Sequence, residues 1–523
     1  MDPAVPAPVP PAFSLLPRRL GVDTHHEPVV VLRADSPVVR AEGFEAHARI
    51  EVLGESASIV ATLNILSSGG LLGPDEVGLS EAAWLRLRPR PDERLRFRFA
   101  PPSDAMSHVR AKIYGKRLAE GAFEAIIGDT VAGRLSNVEI AAFLVACAAG
   151  SMNREEVTGL TRAMVHSGAR MSWPHPLVVD KHCIGGLPGN RTTPIVVAIA
   201  TALGLIMPKT SSRAITSPAG TADTLETITR VDLDLAAMRR VVEAEGGCMV
   251  WGGAMNMSPA DDLLIRVERM LDLDSEAQLV ASVLSKKAAA GSTHVVIDIP
   301  TGPSAKVRSD EQARSLLHAL QASARALGLH LVGMVTDGSQ PVGRGIGPAL
   351  EAHDVLRVLG NHPQASADLR ERALDVAAAV VELGGLVPEA ASAAARELAA
   401  GVLADGRALR KFQAICEAQG AFREPGVAPF QRPVPAPCTG RVQAIDNRLL
   451  ARAAKLAGAP HARTAGLLLG AHVGDRVERG QPLFELHAES QGELDYALDF
   501  VRGHPGMFHL DLEESSAARR VVR

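Results

Sequence analysis

The sequence predicts a multidomain α/β protein, and three observations support this fold class. The chain has 523 residues, too many for one ordinary hydrophobic core. Short segments with strand-like alternation fill its N-terminal part, whereas strand-like and helix-like segments alternate between about residues 171 and 421. That alternation is typical of a mostly parallel sheet. A proline-rich stretch then precedes a last domain.

The N-terminal third of the sequence predicts a tail followed by two domains. Residues 1–20 are rich in proline and lack the basic region and continuous apolar core of a signal peptide, so we expect a disordered tail. Alternating segments such as Val29–Leu32 and Ser58–Leu63 predict an N-terminal β domain over residues 21–95. Residues 96–170 are expected to form an all-α lobe, because Ser136 and Glu139 have the spacing of a capping box.

Residues 171–424 are expected to form the mostly parallel α/β domain. Its predicted strands are Leu177–Val179, Leu205–Pro208, Cys248–Trp251, His294–Ile299 and Leu331–Val335. A linker over residues 425–437 is stiffened by five prolines. The last domain, over residues 438–510, has three predicted short strands, Gly440–Ile445, Gly466–Gly470 and Pro482–Leu486.

Composition indicates a cytoplasmic protein with small-molecule partners. A net charge of -4 argues against the strong positive potential that would attract nucleic acid or an anionic membrane. Aromatic residues make up only 3% of the chain and leave few surfaces on which bases could stack. No window reaches the ~18 uninterrupted apolar residues of a membrane span. The 5 cysteines are scattered and odd in number, which suits a reducing compartment and shows no metal-ligand spacing.

The segment Asp180–Asn190 is the most informative part of the chain. It follows the apolar run Leu177–Val179, and Lys181 and His182 supply a cation and a titratable donor. Three glycines permit positive φ and close approach of backbone N–H groups to an oxyanion: Gly185, Gly186 and Gly189. An apolar helix is expected to follow, with Thr193 as its N-cap. A strand, a glycine turn and a helix N-terminus favour phosphate, although an ordinary tight turn fits this segment alone equally well.

A second polar loop, within Pro208–Glu226, combines hydroxyls, a lysine, an arginine and a glycine. It follows the apolar stretch Ala202–Met207 at the spacing of the next strand, so both loops should emerge from the same edge of one sheet, where ligands bind in open α/β folds. The alternative is a Ser/Thr-rich surface loop. Neither loop has the GxxxxGK[ST] or GxGxxG pattern, which disfavours a nucleoside triphosphate site and a dinucleotide site.

These two segments, together with Val250–Asp262, Ala281–Lys287 and Thr336–Gly343, resemble the thymidine phosphorylase/AMP phosphorylase family. The similarity extends from about Gly21 to about Phe500. It implies an α/β domain of nucleoside phosphorylase/phosphoribosyltransferase type, a compact α+β C-terminal domain and a homo-oligomer. It also implies that a nucleoside and phosphate give a free base and a pentose 1-phosphate, without metal or cofactor.

The resemblance implies a phosphate-binding set of Lys181, Cys183, Thr193, Ser211 and Thr221. Cys183 stands where the family usually has serine, and a thiol is the weaker hydrogen-bond donor. A catalytic cysteine is the alternative interpretation of Cys183, but no protein nucleophile is needed when phosphate attacks directly.

The resemblance also implies substrate-binding and catalytic residues. The substrate contacts are Gly186, Ser212, Arg213, Ala214, Ile215, Thr216, Ser217, Thr221, Arg269, Ser282, Lys286 and Lys306, with Arg266 as the alternative to Arg269. Ser282 and Lys286 are four residues apart on a predicted helix that a Ser275–Gln278 capping box would begin. The implied catalytic residues are Asp274, His182 and Lys181, with Asp274 the proton donor and His182 its rival. Burial could raise the pKa of Asp274, but a helix N-terminus opposes this.

Within the family, the forms of Leu187–Asn190 and Ser212–Ser217 resemble those of AMP phosphorylases and of the long bacterial thymidine phosphorylases. Thymidine is the expected substrate, giving thymine and 2-deoxy-α-D-ribose 1-phosphate. AMP, giving adenine and ribose 1,5-bisphosphate, is the close alternative. A phosphoribosyltransferase would need acidic Mg²⁺ ligands beside Gly185, and none is evident in the sequence. A non-catalytic binding module would bind phosphate without releasing a base.

Overall fold

The computed structural model describes residues 14–67, 70–150, 152–185, 187, 189, 191–214, 217–273 and 275–512. These residues form two compact units. The first contains the described residues up to Ser167 together with Pro259–Leu279, and the second contains Gly168–Ser258 together with those from Val280 onward. None of the helices in the described ranges has the length and apolar character needed to cross a bilayer.

The first unit begins with a closed barrel in the strand order β1-β5-β2-β4-β3-β6. Its strands are β1 Ser14–Arg19, β2 Val29–Arg33, β3 Arg49–Leu53, β4 Ser58–Leu66, β5 Glu76–Leu79 and β6 Leu95–Phe99. The flanking helices are α1 Pro37–Glu42 and α2 Glu81–Leu87. Alternate residues of the strands point inward, so that Val30, Ile50 and Leu63 are fully buried.

The predicted disordered tail is wrong for residues 14–19, because these form β1. This strand pairs in parallel with β5 and antiparallel with β6, and its Leu15 is buried in the barrel core. Residues 1–13 of the predicted tail lie outside the described residues. The proline-rich composition of the first residues hid a short strand whose apolar pair, Leu15 and Leu16, is too brief to be recognised alone.

A helical lobe completes the first unit. It consists of α3 Ala105–Ile113, α4 Glu120–Val131, α5 Asn137–Ala149, α6 Arg154–His166 and α10 Pro259–Leu271. The capping box predicted at Ser136 is confirmed, with Glu139 bonding back to the Ser136 backbone. The placement of all residues 171–424 in one α/β domain is wrong for 259–279. The buried stripe of α10, with Leu264 and Val267, packs with α4 and α5 instead.

The second unit contains the α/β domain, and the mostly parallel sheet is confirmed. Its strands are β7 Val179–Cys183, β8 Met207–Ser211, β9 Gly247–Trp251, β10 His294–Thr301, β11 His330–Asp337 and the short β12 Gly345–Ile346. The order β11-β10-β7 is parallel throughout, as is the pair β8-β9. Val179 at the start of β7 donates to the carbonyl of Ile206 just before β8, at 2.9 Å.

Nine helices accompany these strands among the described residues of this unit's α/β domain. They are α7 Thr192–Ala202, α8 Thr221–Glu226, α9 Leu235–Glu245, α11 Glu276–Ala289, α12 Asp310–Ala326, α13 Pro348–Leu359, α14 Ala367–Leu383, α15 Ser392–Ala404 and α16 Arg407–Gln419. The first turn of α11, up to Leu279, belongs to the first unit. Helix α7 is buried along almost its entire length, in the main core of the domain.

The C-terminal part of the second unit has the α+β composition that the sequence implied. It contains β13 Phe430–Pro435, β14 Gly440–Ile445, α17 Asn447–Leu456, β15 Gly466–Leu469, β16 Arg476–Val477, β17 Pro482–Ala488, α18 Gln491–Gly503 and β18 Phe508–Leu512. The two sheets have the orders β12-β15-β17-β13 and β16-β14-β18. The predicted linker over 425–437 is wrong for 430–435, which form β13. Pro433 and Pro435 are tolerated there because β13 is an edge strand.

Candidate active site

Strand β7 ends in polar residues that the sequence had assigned to a turn. The predicted strand Leu177–Val179 is displaced, since β7 runs from Val179 through Asp180, Lys181 and His182 to Cys183. Asp180 and Lys181 are fully buried. These buried charged side chains have partners within the fold.

Lys181 contacts the first turn of α7. Its Nζ donates to Thr192 Oγ1 at 2.6 Å and to Thr193 Oγ1 at 2.9 Å. Thr193 lies inside the helix and is not the N-cap that we expected, because α7 already begins at Thr192. Burial lowers the pKa of Lys181, and nearby Cys183 and Asp298 oppose that shift. An ammonium, two hydroxyls and a helix N-terminus therefore converge on one point.

Gly189 packs directly against two strands. A Cβ at this position would lie 2.9 Å from Cys183 Sγ and 3.1 Å from Asp298 Oδ2, so only glycine lets the loop approach so closely. Gly186, Pro188 and Asn190 of the same loop lie outside the described residues.

Cys183 is buried, and its Sγ lies 3.8 Å from the carbonyl of Ile184. Burial and the adjacent Asp298 raise the pKa of the Cys183 thiol, so the thiolate form that a nucleophile needs is disfavoured. Asp298 was missed by sequence reasoning. Its Oδ1 accepts from Thr336 Oγ1 at 2.6 Å, whereas its buried Oδ2 has no hydrogen-bond partner in the described part of the chain.

The second loop follows β8 and begins at Ser211. The Oγ of Ser211 is buried and has no hydrogen-bond partner within the described residues. A buried hydroxyl without a partner is costly, and a bound anion would satisfy it. Thr221 opens α8 and is partly buried, while Ser217 Oγ donates to the carbonyl of Ala219 at 2.8 Å.

Arg213 is already paired inside this loop. Its guanidinium donates to both carboxylate oxygens of Glu226, at 2.8 and 2.9 Å, and to Asp223 Oδ1 at 3.2 Å. It also lies 4.7 Å from the ring centroid of Trp251. The hydrogen bond to Glu226 raises the pKa of Arg213, in spite of partial burial. Arg213 thus holds the loop in place.

Asp223 also stabilises this loop, because its Oδ2 accepts hydrogen bonds from the backbone N–H groups of Ala214 and Gly220 at 2.6 and 2.9 Å. A Cβ on Gly220 would lie 2.5 Å from the carbonyl oxygen of Ser212, so glycine is required here as well. Ile215 and Thr216 lie outside the described residues.

His182 is partly buried on β7 and is surrounded by cationic groups. Burial lowers its pKa well below the usual value, and the positive charges of four lysines add to the shift: Lys287, Lys209, Lys286 and Lys181. The imidazole is therefore neutral at neutral pH. A neutral imidazole can donate one hydrogen bond, but it lacks the extra proton of an efficient acid.

The remaining predicted residues are distributed over both units. Ser282 and Lys286 are partly buried on α11, and a Cβ on Gly185 would lie 4.0 Å from Lys306 Cδ. Arg269 lies on α10 in the first unit, where burial lowers its pKa. Asp274 lies outside the described residues.

The capping box expected at Ser275–Gln278 lacks its reciprocal half, since both amide atoms of Gln278 are buried without a hydrogen-bond partner in the described chain. In the same part of the chain, no group of three or more His, Cys, Asp or Glu side chains is placed to hold a metal ion.

Sequence reasoning also missed a charged cluster around Asp180, next to Lys181 on β7. Lys287 Nζ donates to Asp180 Oδ2 at 2.7 Å, and Lys209 Nζ lies 3.4 Å from Asp180 Oδ1. All three side chains are nearly or fully buried. The only signal in the sequence was the polar character of β7 and β8 at their carboxyl ends.

Comparison with known proteins matches three domain families in order. Residues 107–168 match the helical bundle domain of a glycosyl transferase family, and residues 175–409 match the α/β domain of that family. Residues 441–504 match the C-terminal domain of pyrimidine nucleoside phosphorylases.

Relatives of similar length agree with these matches. The chain is 58% identical over 495 residues to "Putative thymidine phosphorylase 1" of Acidovorax sp. (strain JS42), which covers 95% of this chain and 96% of the relative. It is 54% identical over 512 residues to "Putative thymidine phosphorylase" of Maricaulis maris (strain MCS10), with 98% of each chain covered. The chain belongs to the thymidine phosphorylase/AMP phosphorylase family. It is an enzyme of the pentosyltransferase class, a nucleoside phosphorylase, as its sequence motifs implied.

Among solved structures, anthranilate phosphoribosyltransferase from Thermus thermophilus shares the fold. It matches with a TM-score of 0.50 and 21% identity, and it covers 60% of this chain and 99% of its own. This agrees with the α/β domain type expected from the sequence.

Proposed function

We propose that this enzyme catalyses the reversible phosphorolysis of thymidine. A phosphate oxygen forms a bond to C1′ of the deoxyribose while the bond from C1′ to N1 of thymine breaks. The electron pair of that bond leaves with the base, which takes up a proton. The products are thymine and 2-deoxy-α-D-ribose 1-phosphate. The observation that carries the phosphate half is Lys181, buried at the α7 N-terminus with two threonine hydroxyls.

For the phosphate, we assign Lys181, Thr193, Ser211 and Thr221 as donors. The buried Ser211 Oγ, which has no partner in the described residues, supports this set. Cys183 takes part at most as a weak S–H donor, because its thiol stays protonated.

For the nucleoside, we assign Ser282, Lys286, Lys306 and Arg269, together with the loop Ser212–Ser217 and Gly186. Cationic groups near the base stabilise the negative charge that develops on it as the bond to C1′ breaks.

Asp274 is the proposed proton donor to the departing base. The lowered pKa of His182 supports this choice, because a neutral imidazole among lysines is a poor acid. We assign His182 a hydrogen-bonding role with the base.

AMP is the second candidate substrate, since the loop Ser212–Ser217 offers hydroxyls that could hold a 5′-phosphate. The cation expected to read that phosphate was Arg213. Its bidentate pairing with Glu226 supports the nucleoside instead, because a 5′-phosphate would have to displace that carboxylate. The names of the long relatives point the same way.

One assay separates these alternatives. Base release is measured from thymidine, uridine, adenosine and AMP, each in phosphate, in arsenate and in a buffer without either. We expect thymidine to be cleaved with the highest kcat/KM and only when phosphate or arsenate is present. Preference for AMP over adenosine and thymidine would assign the nucleotide. Equal release without phosphate would indicate a hydrolase and contradict the proposal.

We also propose that the enzyme is a homodimer, within the homo-oligomer that the family resemblance implied, and that it is cytoplasmic, as its composition indicated. Light scattering on the purified protein tests the first point, because a dimer would have twice the chain mass of 55.0 kDa. Fractionation of the source cells tests the second.

A further inference from the structure

Asp180 connects three elements of the α/β domain through a single carboxylate. It lies on β7, and its Oδ1 accepts from the backbone N–H of Lys181 at 2.6 Å. Its Oδ2 accepts from Lys287 Nζ of α11 at 2.7 Å and from Ser292 Oγ at 3.2 Å. Lys209 Nζ of β8 lies 3.4 Å from Oδ1. We call Asp180, Lys209 and Lys287 the carboxylate clamp.

The clamp is a poor device for stability alone. Burying an ion pair costs several kcal/mol per ion before attraction offsets it, and a well-packed apolar group is often as stable. Here two lysines share one carboxylate, which can balance only one positive charge. Burial lowers the pKa of Lys287 to about 7, with Lys209 adding to the shift and Asp180 opposing it. The arrangement therefore calls for an explanation other than folding energy.

Each of the three elements carries a different part of the proposed site. Strand β7 supplies Lys181, which contacts Thr193 of the phosphate set. Strand β8 ends at Ser211, two residues after Lys209. Helix α11 carries Ser282 and Lys286, the latter next to Lys287 in sequence. A shift of any one element would separate the groups that bind phosphate from those that bind the nucleoside.

We propose that the carboxylate clamp positions the two halves of the active site relative to each other, with Lys209 aligning the phosphate half and Lys287 the nucleoside half. Asp180, Lys209 and Lys287 are positioning residues, since they act through Lys181, Ser211 and Lys286. The proposal rests on the proposed function for the roles of those three groups.

The test compares Lys209→Met with Lys287→Met, because methionine keeps the unbranched apolar stem of lysine and lacks its amino group, so that each change removes one arm of the clamp. Lys209→Met is expected to raise the KM for phosphate about tenfold and to leave the KM for thymidine within about threefold. Lys287→Met is expected to do the reverse. The matched control is Lys411→Met, which removes a 2.9 Å ion pair with Glu245, between α16 and α9, and is expected to change neither KM.

Two further measurements keep the test decisive. Ser292→Ala removes only one hydrogen bond to Asp180 Oδ2, so it should fold and should raise the KM for thymidine about fivefold, beyond the threefold range that counts as no change. The affinity for inorganic phosphate is measured by calorimetry on each folded variant, which needs no substrate assignment. If the wild type cleaves no nucleoside, the proposed function fails, whereas weaker phosphate binding by Lys209→Met alone still supports the clamp.

Two results would overturn the proposal. One is a lower melting temperature of both lysine variants with both KM values and the phosphate affinity unchanged, which would make the clamp purely structural. The other is an equal rise of both KM values in both variants, which would remove the division between the two arms.

Discussion

Replacement of Lys181 by methionine separates binding of phosphate from folding. The Nζ group lies within hydrogen-bond distance of Thr192 Oγ1 and Thr193 Oγ1, in a fully buried position. A hydrogen bond between charged groups contributes about 1.5–3 kcal/mol. Its loss from the phosphate nucleophile should lower kcat/KM for phosphate roughly 10- to 150-fold.

The same change should cost little stability. Burial lowers the pKa of Lys181, which means that its charged form is less favourable in the folded protein than in the unfolded chain. At neutral pH, which lies below the pKa of a free lysine, this difference destabilises the fold. Methionine carries no charge and removes that cost. Thr193 Oγ1 loses a partner at a cost of about 1 kcal/mol, while Thr192 Oγ1 still donates to the carbonyl of Gly189. We expect a melting temperature within about 3 °C of the wild type.

The assay records initial rates of base release at several phosphate concentrations, together with thermal unfolding of each protein, and Lys411→Met is the control. A Lys181→Met enzyme that keeps kcat/KM for phosphate within about threefold would refute the assignment of Lys181 to the nucleophile. A large fall in melting temperature without a fall in kcat/KM would give Lys181 a structural role.

Three further outcomes are expected. Cys183→Ser should retain or raise kcat/KM for phosphate, because a hydroxyl is the better donor, and complete inactivation of a folded Cys183→Ser protein would instead indicate a covalent thiol mechanism. Arg213→Ala should lower the melting temperature and leave the ratio of kcat/KM for AMP and thymidine unchanged, since Glu226 already occupies the guanidinium; loss of a preference for AMP would show that Arg213 reads the nucleotide. In the helical lobe, burial opposes ionisation of Glu156, but a hydrogen bond from Lys112 helps to lower its pKa to about 2. Glu156 should therefore stabilise the fold above about pH 4.5, the pKa of a free glutamate, and lose that contribution as the pH falls towards 2. Denaturant titrations between pH 6 and 3 should therefore show a steeper loss of stability for the wild type than for Glu156→Gln, and parallel losses would contradict the assignment.

The order of the domains could be predicted from sequence because each has a distinct periodicity. Helix starts with complete capping boxes, such as Ser136, were also recognisable. The errors have a common cause, which is that tertiary partners override local composition. Strand β7 reads as a turn because its charged residues find their partners only in the fold. Lys287 forms an ion pair with Asp180, and two threonine hydroxyls accept hydrogen bonds from Lys181. Strand β13 reads as a linker because its prolines are permitted only at a sheet edge.

For the candidate site, the types of residue were predictable and their partners were not. The motif around Lys181 indicated phosphate, and the structure places that lysine at a helix N-terminus. Arg213 was expected to be available for a ligand, yet its guanidinium donates hydrogen bonds to Glu226 at the end of α8. No periodicity reports such a pairing across a loop. The same applies to Asp298 on β10, because its approach to Gly189 depends on the path of the loop that joins β7 to α7.

The barrel has a practical consequence for anyone who shortens this chain. Strand β1 is the only link between β5 and β6 among the described strands, and Arg94 holds it by donating to the carbonyl of Ser14 at 2.6 Å. Trimming at Gly21, where the sequence predicts the end of the proline-rich tail, would open the ring and leave two unpaired strand edges side by side. Such edges recruit strands from other molecules. A shortened protein should therefore start before Ser14, or it will gain a tendency to self-associate that the closed barrel prevents.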